Sequence, residues 1–339
     1  MINNTSVATV TTLKAPLEET LSFIHYYLNS GIDRMYLFFD DPDDPAISQI
    51  EHDERLTIYR CDEAHWSDFG ISSESTIQDK QEKNATLAFQ MAGKSGIEWL
   101  LHVDHDELIY GPGSLKGYFS TVPSEIEILR FPVMEAIPQQ DAYTNAFAEI
   151  SLFKVYDALP VSDDRFFTSP KNKAIQYEKA KWWYRRRKVA DLLGSNHAKY
   201  HTGRIFLHGH QVGKSATRTS AKISSIKCHL PEPAEHSVPE MKVSERFYVL
   251  HYDCMGFESW KNKWTSRLTG ASNFDTRQFS AYRNSILEDF KKHSDEGSLL
   301  DLYKNFYHLN SFEKFLLRST GLLKKIRHNP ALFKIDSTK

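Results

Sequence analysis

Two carboxylates, Asp104 and Asp106, stand two residues apart, directly after the apolar segment 99–103. Carboxylate oxygens are preferred ligands of Mg²⁺ and Mn²⁺, and these ions commonly keep substrate phosphate oxygens as further ligands. A cation held there would offset the charge that develops on a departing diphosphate. Acidic residues can also do no more than end a strand in solvent, but the apolar character of the segment before them favours the metal-binding interpretation.

Histidines suggest a second kind of chemistry. His208 and His210 stand two residues apart in a strand-like segment, so both would face the same side of a sheet. Together with His102, Asp104 and Asp106 they could form a His/Asp metallohydrolase site. Such a site would favour Zn, Fe or Mn and keep one position open for water, so metal preference distinguishes the two interpretations.

The segment 209–215, with the sequence GHQVGKS, superficially resembles a phosphate-binding loop. That motif requires four residues between its first glycine and the Gly-Lys pair, whereas three residues stand there in this chain. We therefore reject a phosphate-binding loop of that type.

The secondary structure that must position these residues alternates through the first hundred positions. Compact apolar segments predict strands, and apolar residues three or four positions apart predict helices. The predicted strands are 7–13, 35–39, 56–60 and 99–103, and the predicted helices are 17–30 and 75–92. This alternation is typical of an α/β fold with a mainly parallel, Rossmann-like sheet flanked by helices. Ligands of such sheets bind outside the carboxyl ends of the strands, where the acidic segments 40–44 and 104–107 lie.

The rest of the chain changes character near residue 257. Strands are predicted at 126–133, 148–156 and 205–210, and helices at 257–268, 279–292, 299–307 and 312–327. We therefore expect one α/β domain, residues 1–255, followed by a helical C-terminal extension, residues 256–339.

Composition narrows the class of protein. The 42 basic and 44 acidic residues give a net charge of −2, so no global basic field exists to attract nucleic acid, and we expect no nucleic-acid partner. Three widely spaced cysteines, Cys61, Cys228 and Cys254, argue against a disulfide framework. Neither a signal peptide nor an apolar run of roughly 18 residues is visible, which predicts a cytoplasmic protein, at most peripheral on the inner face of the cytoplasmic membrane.

The C-terminal region is basic. From Glu313 onward the chain has seven Lys or Arg residues and two acidic residues. An apolar face would be formed by Phe315, Leu316, Leu322, Leu323 and Ile326. A basic amphipathic helix within 312–327 can lie on an anionic membrane surface. A packed helix with a solvated basic face would show the same pattern, so both interpretations stay open.

The string WLLHVDHDELI, residues 99–109, resembles the D-x-D-E segment of GT-A glycosyltransferases, particularly the family-2-like and family-92-like bacterial group. Leu108 stands where that group usually has Phe. Three further stretches agree in order: 14–44 with the family's opening, 213–218 (GKSATR) with its G-K-S-x-x-R segment, and 251–261 with its H-Y ending. Pro16 stands where the opening usually has Glu. The resemblance covers roughly residues 7–263.

The resemblance implies a set of site residues. Asp104, Asp106 and His229 would bind the metal, with His251 as the rival histidine, and Glu107 would orient the carboxylate pair. Nucleotide-sugar contacts would come from Lys14, Asp40, Asp41, Gln81, Asn84, Asp104, Lys214 and Arg218. Catalysis would involve Asp106 and a base, for which Glu135 is the candidate and Asp141 lies nearby in sequence; a retaining enzyme would need no such base.

The activity that the resemblance implies is transfer of a sugar from a UDP- or GDP-sugar to a glycan or lipid-linked acceptor, with Mg²⁺ or Mn²⁺ as cofactor. Surface polysaccharide or lipopolysaccharide synthesis would be the setting. Trp182 and Trp183 are candidate platforms for stacking a sugar ring. Two alternatives stay open: the metallohydrolase described above, and a carbohydrate-binding protein that has the fold but no turnover.

Overall fold

The structure, a computed structural model, describes residues 5–50, 52–156, 170–193, 207–209, 211–270, 281–293 and 295–334. Its strands are β1 (Val7–Leu13), β2 (Arg34–Phe39), β3 (Leu56–Arg60), β4 (Trp99–His102), β5 (Glu107–Tyr110), β6 (Ile128–Phe131), β7 (Val133–Ala136), β8 (Leu152–Tyr156), β9 (Lys214–Arg218), β10 (Ile223–Ile226), β11 (Pro231–Pro233), β12 (Met241–Val243), β13 (Tyr248–His251) and β14 (Leu323–Lys325). Its helices are α1 (Leu17–Asn29), α2 (Ile47–Ile50), α3 (Glu63–Asp68), α4 (Ile77–Lys94), α5 (Leu115–Phe119), α6 (Ala146–Glu149), α7 (Pro170–Leu192), α8 (Phe257–Thr269), α9 (Ala281–Lys292), α10 (Glu296–Tyr307) and α11 (Ser311–Ser319).

The larger sheet has seven strands in the order β12-β6-β9-β4-β1-β2-β3. Neighbouring strands run parallel except at β9, which is antiparallel to both β4 and β6. Side chains of β1 enter two hydrophobic clusters: Val7 shares one with α1, and Ala8 and Val10 share the other with α4. The predicted α/β class, with mostly parallel strands flanked by helices, is therefore confirmed.

The strand order creates a crevice at the centre of this sheet. From β1 the chain adds β2 and β3 on one side, and it then returns to place β4 on the other side of β1. Ligand-binding crevices form outside the carboxyl ends of the strands at such a reversal. Helix α4 packs closely on β1 and β4 through the small buried side chains of Ala85, Ala88 and Ala92. Because α4 leads into β4, its first turn lies at the carboxyl edge.

The smaller sheet has five strands in the order β14-β8-β7-β13-β5. The predicted strand 126–133 is in fact two strands, β6 in the larger sheet and β7 in the smaller one. Pro132 separates them, because proline lacks the N–H group that a continuous strand would donate. Strand β13 pairs with both β5 and β7, and this register places His251 opposite Glu107 and Glu135.

The C-terminal helices α8, α9 and α10 share a hydrophobic cluster that includes Trp260, Phe290 and Tyr303. The three predicted helices of this region are confirmed within the described residues. The domain boundary at residue 255 stays a prediction. No helix within the described residues combines the length and apolar character that crossing a membrane requires.

The predicted helix 312–327 is wrong beyond Ser319, where α11 ends. Gly321 follows with a φ of 69°, and β14 then joins the smaller sheet antiparallel to β8. Four of the five side chains assigned to its apolar face are buried, whereas Phe315 is 67% exposed. Most of the apolar side chains on which the predicted amphipathic surface depended are therefore packed in the interior.

Candidate functional site

A cavity of about 490 Å³ lies at the carboxyl edge of the larger sheet. Its lining includes Thr12 from the end of β1, Asp40 after β2, and Asp104 and Asp106 after β4. These are the ends of the three strands that surround the reversal of strand order, so the cavity occupies the position that the topology favours for a ligand.

Asp104 is held by three contacts. Gln81 Nε2 donates to its Oδ1 atom at 2.7 Å, and Lys214 Nζ donates to its Oδ2 atom at 2.8 Å. Its backbone N–H donates to Glu107 Oε2 at 2.9 Å. Burial opposes ionisation of Asp104, but the Lys214 ammonium outweighs it and holds the pKa of this carboxyl well below its usual range. Asp104 is therefore a fixed, ionised carboxylate at the cavity wall.

Lys214 lies behind that wall rather than on it. The residue is fully buried, and its Nζ atom also donates to the Cys228 carbonyl at 2.8 Å and lies 3.3 Å from Glu107 Oε2. Burial alone would lower the pKa of Lys214, but Asp104 and Glu107 raise it above its ordinary value. The lysine predicted to contact a diphosphate thus neutralises two carboxylates, and Glu107 contacts the backbone of Asp104, the first of the two aspartates.

Arg218 is not brought to the cavity. Because β9 is a strand rather than a loop, its two ends lie roughly 13 Å apart at about 3.3 Å per residue. Arg218 pairs in register with Trp99 at the start of β4, and its guanidinium lies 4.3 Å from the centre of that ring. It donates to the Glu98 carboxylate and to the Ile126 carbonyl. It therefore belongs to the amino edge of the sheet.

The end of β2 carries a second charged group. Asp40 accepts a hydrogen bond from Lys80 Nζ at 2.6 Å and lies 3.4 Å from Lys14 Nζ, and all three residues line the cavity. Asp41 is exposed and accepts the backbone N–H of Asp43, so it shapes a turn outside the cavity lining. Lys80, one residue before Gln81 on α4, is a cavity residue that the sequence analysis missed.

Asn84 is fully buried and lies away from the cavity lining. Its amide nitrogen donates to Thr12 Oγ1 at 2.9 Å, and its amide oxygen lies 2.9 Å from His65 Nε2. Asn84 therefore supports Thr12, which does line the cavity, from the interior of the protein.

The side chains of Asp106 and His251 lie next to each other in the cavity lining. The distance from His251 Nε2 to Asp106 Oδ2 is 3.7 Å. Burial lowers the pKa of His251, but the neighbouring carboxylates, of which Asp106 and Asp253 act most strongly, raise it above the ordinary histidine value. Both side chains line the cavity, so a histidine with enhanced basicity stands beside the second aspartate of the D-x-D pair.

Glu135 lies one layer behind the cavity. Its carboxylate is fully buried and accepts the backbone N–H groups of His208, at 2.8 Å, and Gly209, at 2.5 Å. Gly209 lines the cavity, whereas Glu135 does not. Burial raises the pKa of Glu135, and the Lys154 ammonium opposes that rise. The contacts of Glu135 fix a turn of the cavity wall. Asp141 pairs with Lys304 at 3.0 Å, outside the lining.

The histidine proposed as a third metal ligand, His229, does not line the cavity. Its Nδ1 atom lies 3.2 Å from the Gly213 carbonyl oxygen, and a positive charge on its ring would lower the pKa of Asp104. Within the described ranges, no group of three or more His, Cys, Asp or Glu side chains is arranged to hold a metal ion.

The His/Asp metallohydrolase constellation is not assembled in the described part of the chain. His102 is buried, with Nδ1 3.1 Å from the Lys227 carbonyl oxygen, and burial lowers its pKa to about 4. His208 packs against the ring of Tyr307, and burial lowers its pKa to about 3. Neither side chain lines the cavity. His210 lies outside the described residues.

The two tryptophans of α7 have different environments. Trp183 is buried and donates its ring N–H to the Val155 carbonyl at 2.9 Å, so it is a core residue. Trp182 is 60% exposed, with the guanidinium of Arg185 5.6 Å from its ring centre. Neither ring lines the cavity described above.

The cavity lining also contains residues that the sequence pattern did not predict. They are Asp253, Lys263, Ser266, Arg267 and Arg283. The spacing of 263, 266 and 267 is that of one helical face, which is a usable signal. No sequence signal connects that face to Arg283, because the contact depends on how α9 packs against α8.

Comparison with known proteins adds a limited resemblance. No protein-family model matches the chain. The chain is similar to Glycosyltransferase-like At3g57200 of Arabidopsis thaliana, with 27% identity over 169 residues, 44% of this chain and 33% of that protein. It is also similar to Glycosyltransferase-like At2g41451 of Arabidopsis thaliana, with 26% identity over 169 residues, 44% of this chain and 38% of that protein. The match thus spans 33% and 38% of the length of these two relatives.

Proposed function

We propose that this chain is a glycosyltransferase of the GT-A type that takes its sugar from a UDP- or GDP-sugar. The observation that carries the proposal is the placement of Asp104 and Asp106 in the lining of a cavity at the carboxyl edge of the central strands. The names of the two Arabidopsis relatives support the same chemistry. The acceptor would be a glycan or a lipid-linked glycan of surface polysaccharide or lipopolysaccharide synthesis, reached at the inner face of the cytoplasmic membrane.

A divalent ion would bind between Asp104 and Asp106. Each Asp104 oxygen accepts one hydrogen bond, from Gln81 or Lys214, and a carboxylate oxygen has a second lone pair for a metal. Two carboxylates suit Mg²⁺ or Mn²⁺, which complete their coordination with phosphate oxygens and water. When bound, the ion would offset negative charge on the departing diphosphate.

The remaining groups would bind and orient the donor. Gln81 and Lys214 hold the Asp104 carboxylate in one position, so it needs no reorganisation when a ligand arrives. The Asp40 carboxylate, fixed by Lys80, and the exposed Lys14 would contact the nucleoside at the end of β2. His251, whose pKa is raised by its carboxylate neighbours, stands where it can exchange a proton with a hydroxyl group in the cavity.

The test is a thermal-shift and calorimetric screen of UDP, GDP and their sugars, with and without Mn²⁺. We expect one nucleotide family to stabilise the protein, and Mn²⁺ to increase that stabilisation. Asp106→Ala should abolish the additional stabilisation that Mn²⁺ gives. The thermal unfolding of this variant should stay as cooperative as that of wild type. Asp301→Ala, at an exposed carboxylate of α10, is the matched control and should bind like wild type.

Three results would reject parts of the proposal. Wild-type nucleotide affinity and turnover in Asp106→Ala would refute the assignment of the site. Stabilisation by Zn²⁺ alone, without any nucleotide effect, would favour a hydrolase. Nucleotide-sugar binding without hydrolysis or transfer of the sugar would favour a carbohydrate-binding protein of the same fold.

A further inference from the structure

One wall of the cavity is cationic, and it is built by the C-terminal helices rather than by the larger sheet. Lys263 and Arg267 stand one turn apart on α8, and Arg283 comes from α9. All three line the same cavity as Asp104 and Asp106. Two helices that pack against each other thus direct three positively charged side chains towards one space.

Two of these three cations are held by neighbouring residues. Lys263 Nζ donates to the carboxylate and to the backbone carbonyl of Asp253, at 2.7 Å in each case. The guanidinium of Arg267 lies 4.8 Å from the centre of the Trp264 ring, which is itself buried. Stacking on an aromatic ring holds a guanidinium in one plane.

The cations are close enough to act on each other. Burial lowers the pKa of Arg267, and the charge of Arg283 lowers it further, against the opposing effect of Asp253. The Asp253 carboxylate offsets part of this charge, and like charges held together in a partly buried position favour binding of a further anion. An anion that entered this part of the cavity would therefore be stabilised by both guanidinium groups.

The cationic wall and the acidic pair are two groups in the lining of one cavity. The charge of Asp253 influences His251, and His251 in turn lies 3.7 Å from Asp106. Asp253 also accepts a hydrogen bond from Lys263, so it links His251 electrostatically to the cationic wall. A donor whose diphosphate lay at Asp104 and Asp106 would leave the cationic wall for a second ligand.

We propose that Lys263, Arg267 and Arg283 bind a phosphoryl group on the acceptor, so that the acceptor is a phosphorylated glycan or a phosphate-linked lipid. The proposal rests on the proposed function, because it presumes that the donor occupies the acidic side. Guanidinium groups present paired N–H donors that match phosphate oxygens, and an ammonium adds a third charged donor. The phosphate would hold the acceptor in the cavity with a hydroxyl group directed towards His251.

The experiment measures binding of inorganic phosphate to the full chain by calorimetry, alone and in the presence of saturating Mn²⁺ and whichever of UDP or GDP binds. The variants are Arg267→Gln and Arg283→Gln. The control is Lys292→Gln on α9, whose side chain is 68% exposed and pairs with Asp289. We expect phosphate to bind with the nucleotide already present. Each arginine variant should lose roughly tenfold or more in phosphate affinity, the size of a lost charged hydrogen bond, with nucleotide affinity unchanged.

Two outcomes would overturn the acceptor site. Phosphate binding that is equal in wild type, Arg267→Gln and Arg283→Gln would show that these cations hold no phosphoryl group. Displacement of phosphate by the nucleotide, with both arginine variants losing nucleotide affinity, would assign the cations to the donor diphosphate instead. Failure of the proposed function has a different signature, which is that neither UDP nor GDP binds the wild type. Loss of phosphate binding in the arginine variants would then still support the anion site.

Discussion

Lys214 Nζ lies 2.8 Å from Asp104 Oδ2, and this contact joins a fully buried ammonium to a carboxylate of the cavity wall. Glu107, also fully buried, lies 3.3 Å from the same nitrogen and accepts the backbone N–H of Asp104. One lysine therefore balances two carboxylates. The charge of the D-x-D segment is thus maintained from inside the protein before any ligand binds.

Replacing this lysine should be strongly destabilising. In Lys214→Met, Glu107 and Asp104 lose their ammonium, and breaking a buried ion pair from one side costs about 3–5 kcal/mol. Urea unfolding followed by circular dichroism measures the loss. The control is Lys227→Met, because Lys227 forms a more exposed pair with Glu82 at 2.8 Å, and such pairs contribute about 1 kcal/mol or less. Equal losses in the two variants would contradict the role assigned to Lys214.

Glu135→Gln should separate a positioning role from a catalytic one. Glutamine keeps one acceptor oxygen, but its NH₂ group faces an N–H donor of the 208–209 turn, so one of the two hydrogen bonds is lost at a cost of about 1–3 kcal/mol. We expect weaker nucleotide binding and faster amide hydrogen exchange at Gly209.

Glu149→Gln is the control for that variant, since Glu149 also accepts a backbone N–H group, from Asn145, at the surface. A positioning residue lowers ligand affinity, whereas a general base would leave affinity unchanged and remove turnover. Unchanged nucleotide affinity and Gly209 exchange, with turnover lost, would favour the catalytic base.

The outline of the fold was predictable because its signals are local. Strands β1 and β3 match their predicted bounds, since each is a short apolar segment between turn residues. The position of the acidic pair followed from the same reasoning, because a parallel strand places whatever follows it at the carboxyl edge. Gln81 lies beside that pair because α4 starts at the same edge of the sheet.

Other features depend on pairing between distant segments. The 213–218 segment contains no sign that its two ends lie at opposite edges of the sheet; its pairing with β4 and β6 decides that. The same holds for segment 323–325, which has a helical pattern but completes the smaller sheet beside β8. Arg218 and the 312–327 helix were therefore misplaced for one reason: tertiary pairing overrode local pattern.

Gly209→Ala should disturb the cavity through His251. A Cβ atom at position 209 would overlap the ring of His251 and lie 3.2 Å from Glu135 Oε2, so the ring or the turn must move. Overpacking of this kind costs about 1–3 kcal/mol, and nucleotide affinity should fall with it. The control is Gly93→Ala within α4, where the new atom would lie 3.7 Å from Thr219 and helix propensity should add roughly 0.5–1 kcal/mol. A destabilised Gly93→Ala or an unaffected Gly209→Ala would contradict this account.

His328 should make the fold sensitive to acid. Its ring contacts those of Tyr26 and Phe333, its Nε2 atom lies 3.1 Å from the Tyr252 hydroxyl, and burial lowers its pKa from 6.5 to about 4. Because the unfolded chain takes up a proton near pH 6.5 and the folded chain does not until about pH 4, stability is full above pH 6.5 and falls as the pH drops through this window. The loss from this residue amounts to about 3 kcal/mol.

The measurement compares the free energy of unfolding of wild type and His328→Gln at several pH values between 7 and 4. All other titrating groups are shared, so their contributions cancel in the difference, and wild type should lose about 3 kcal/mol relative to the variant. His236→Gln is the control, because the His236 side chain is 90% exposed and its removal should leave the pH dependence unchanged. Parallel curves for wild type and His328→Gln would show that His328 takes up its proton equally well in the folded protein.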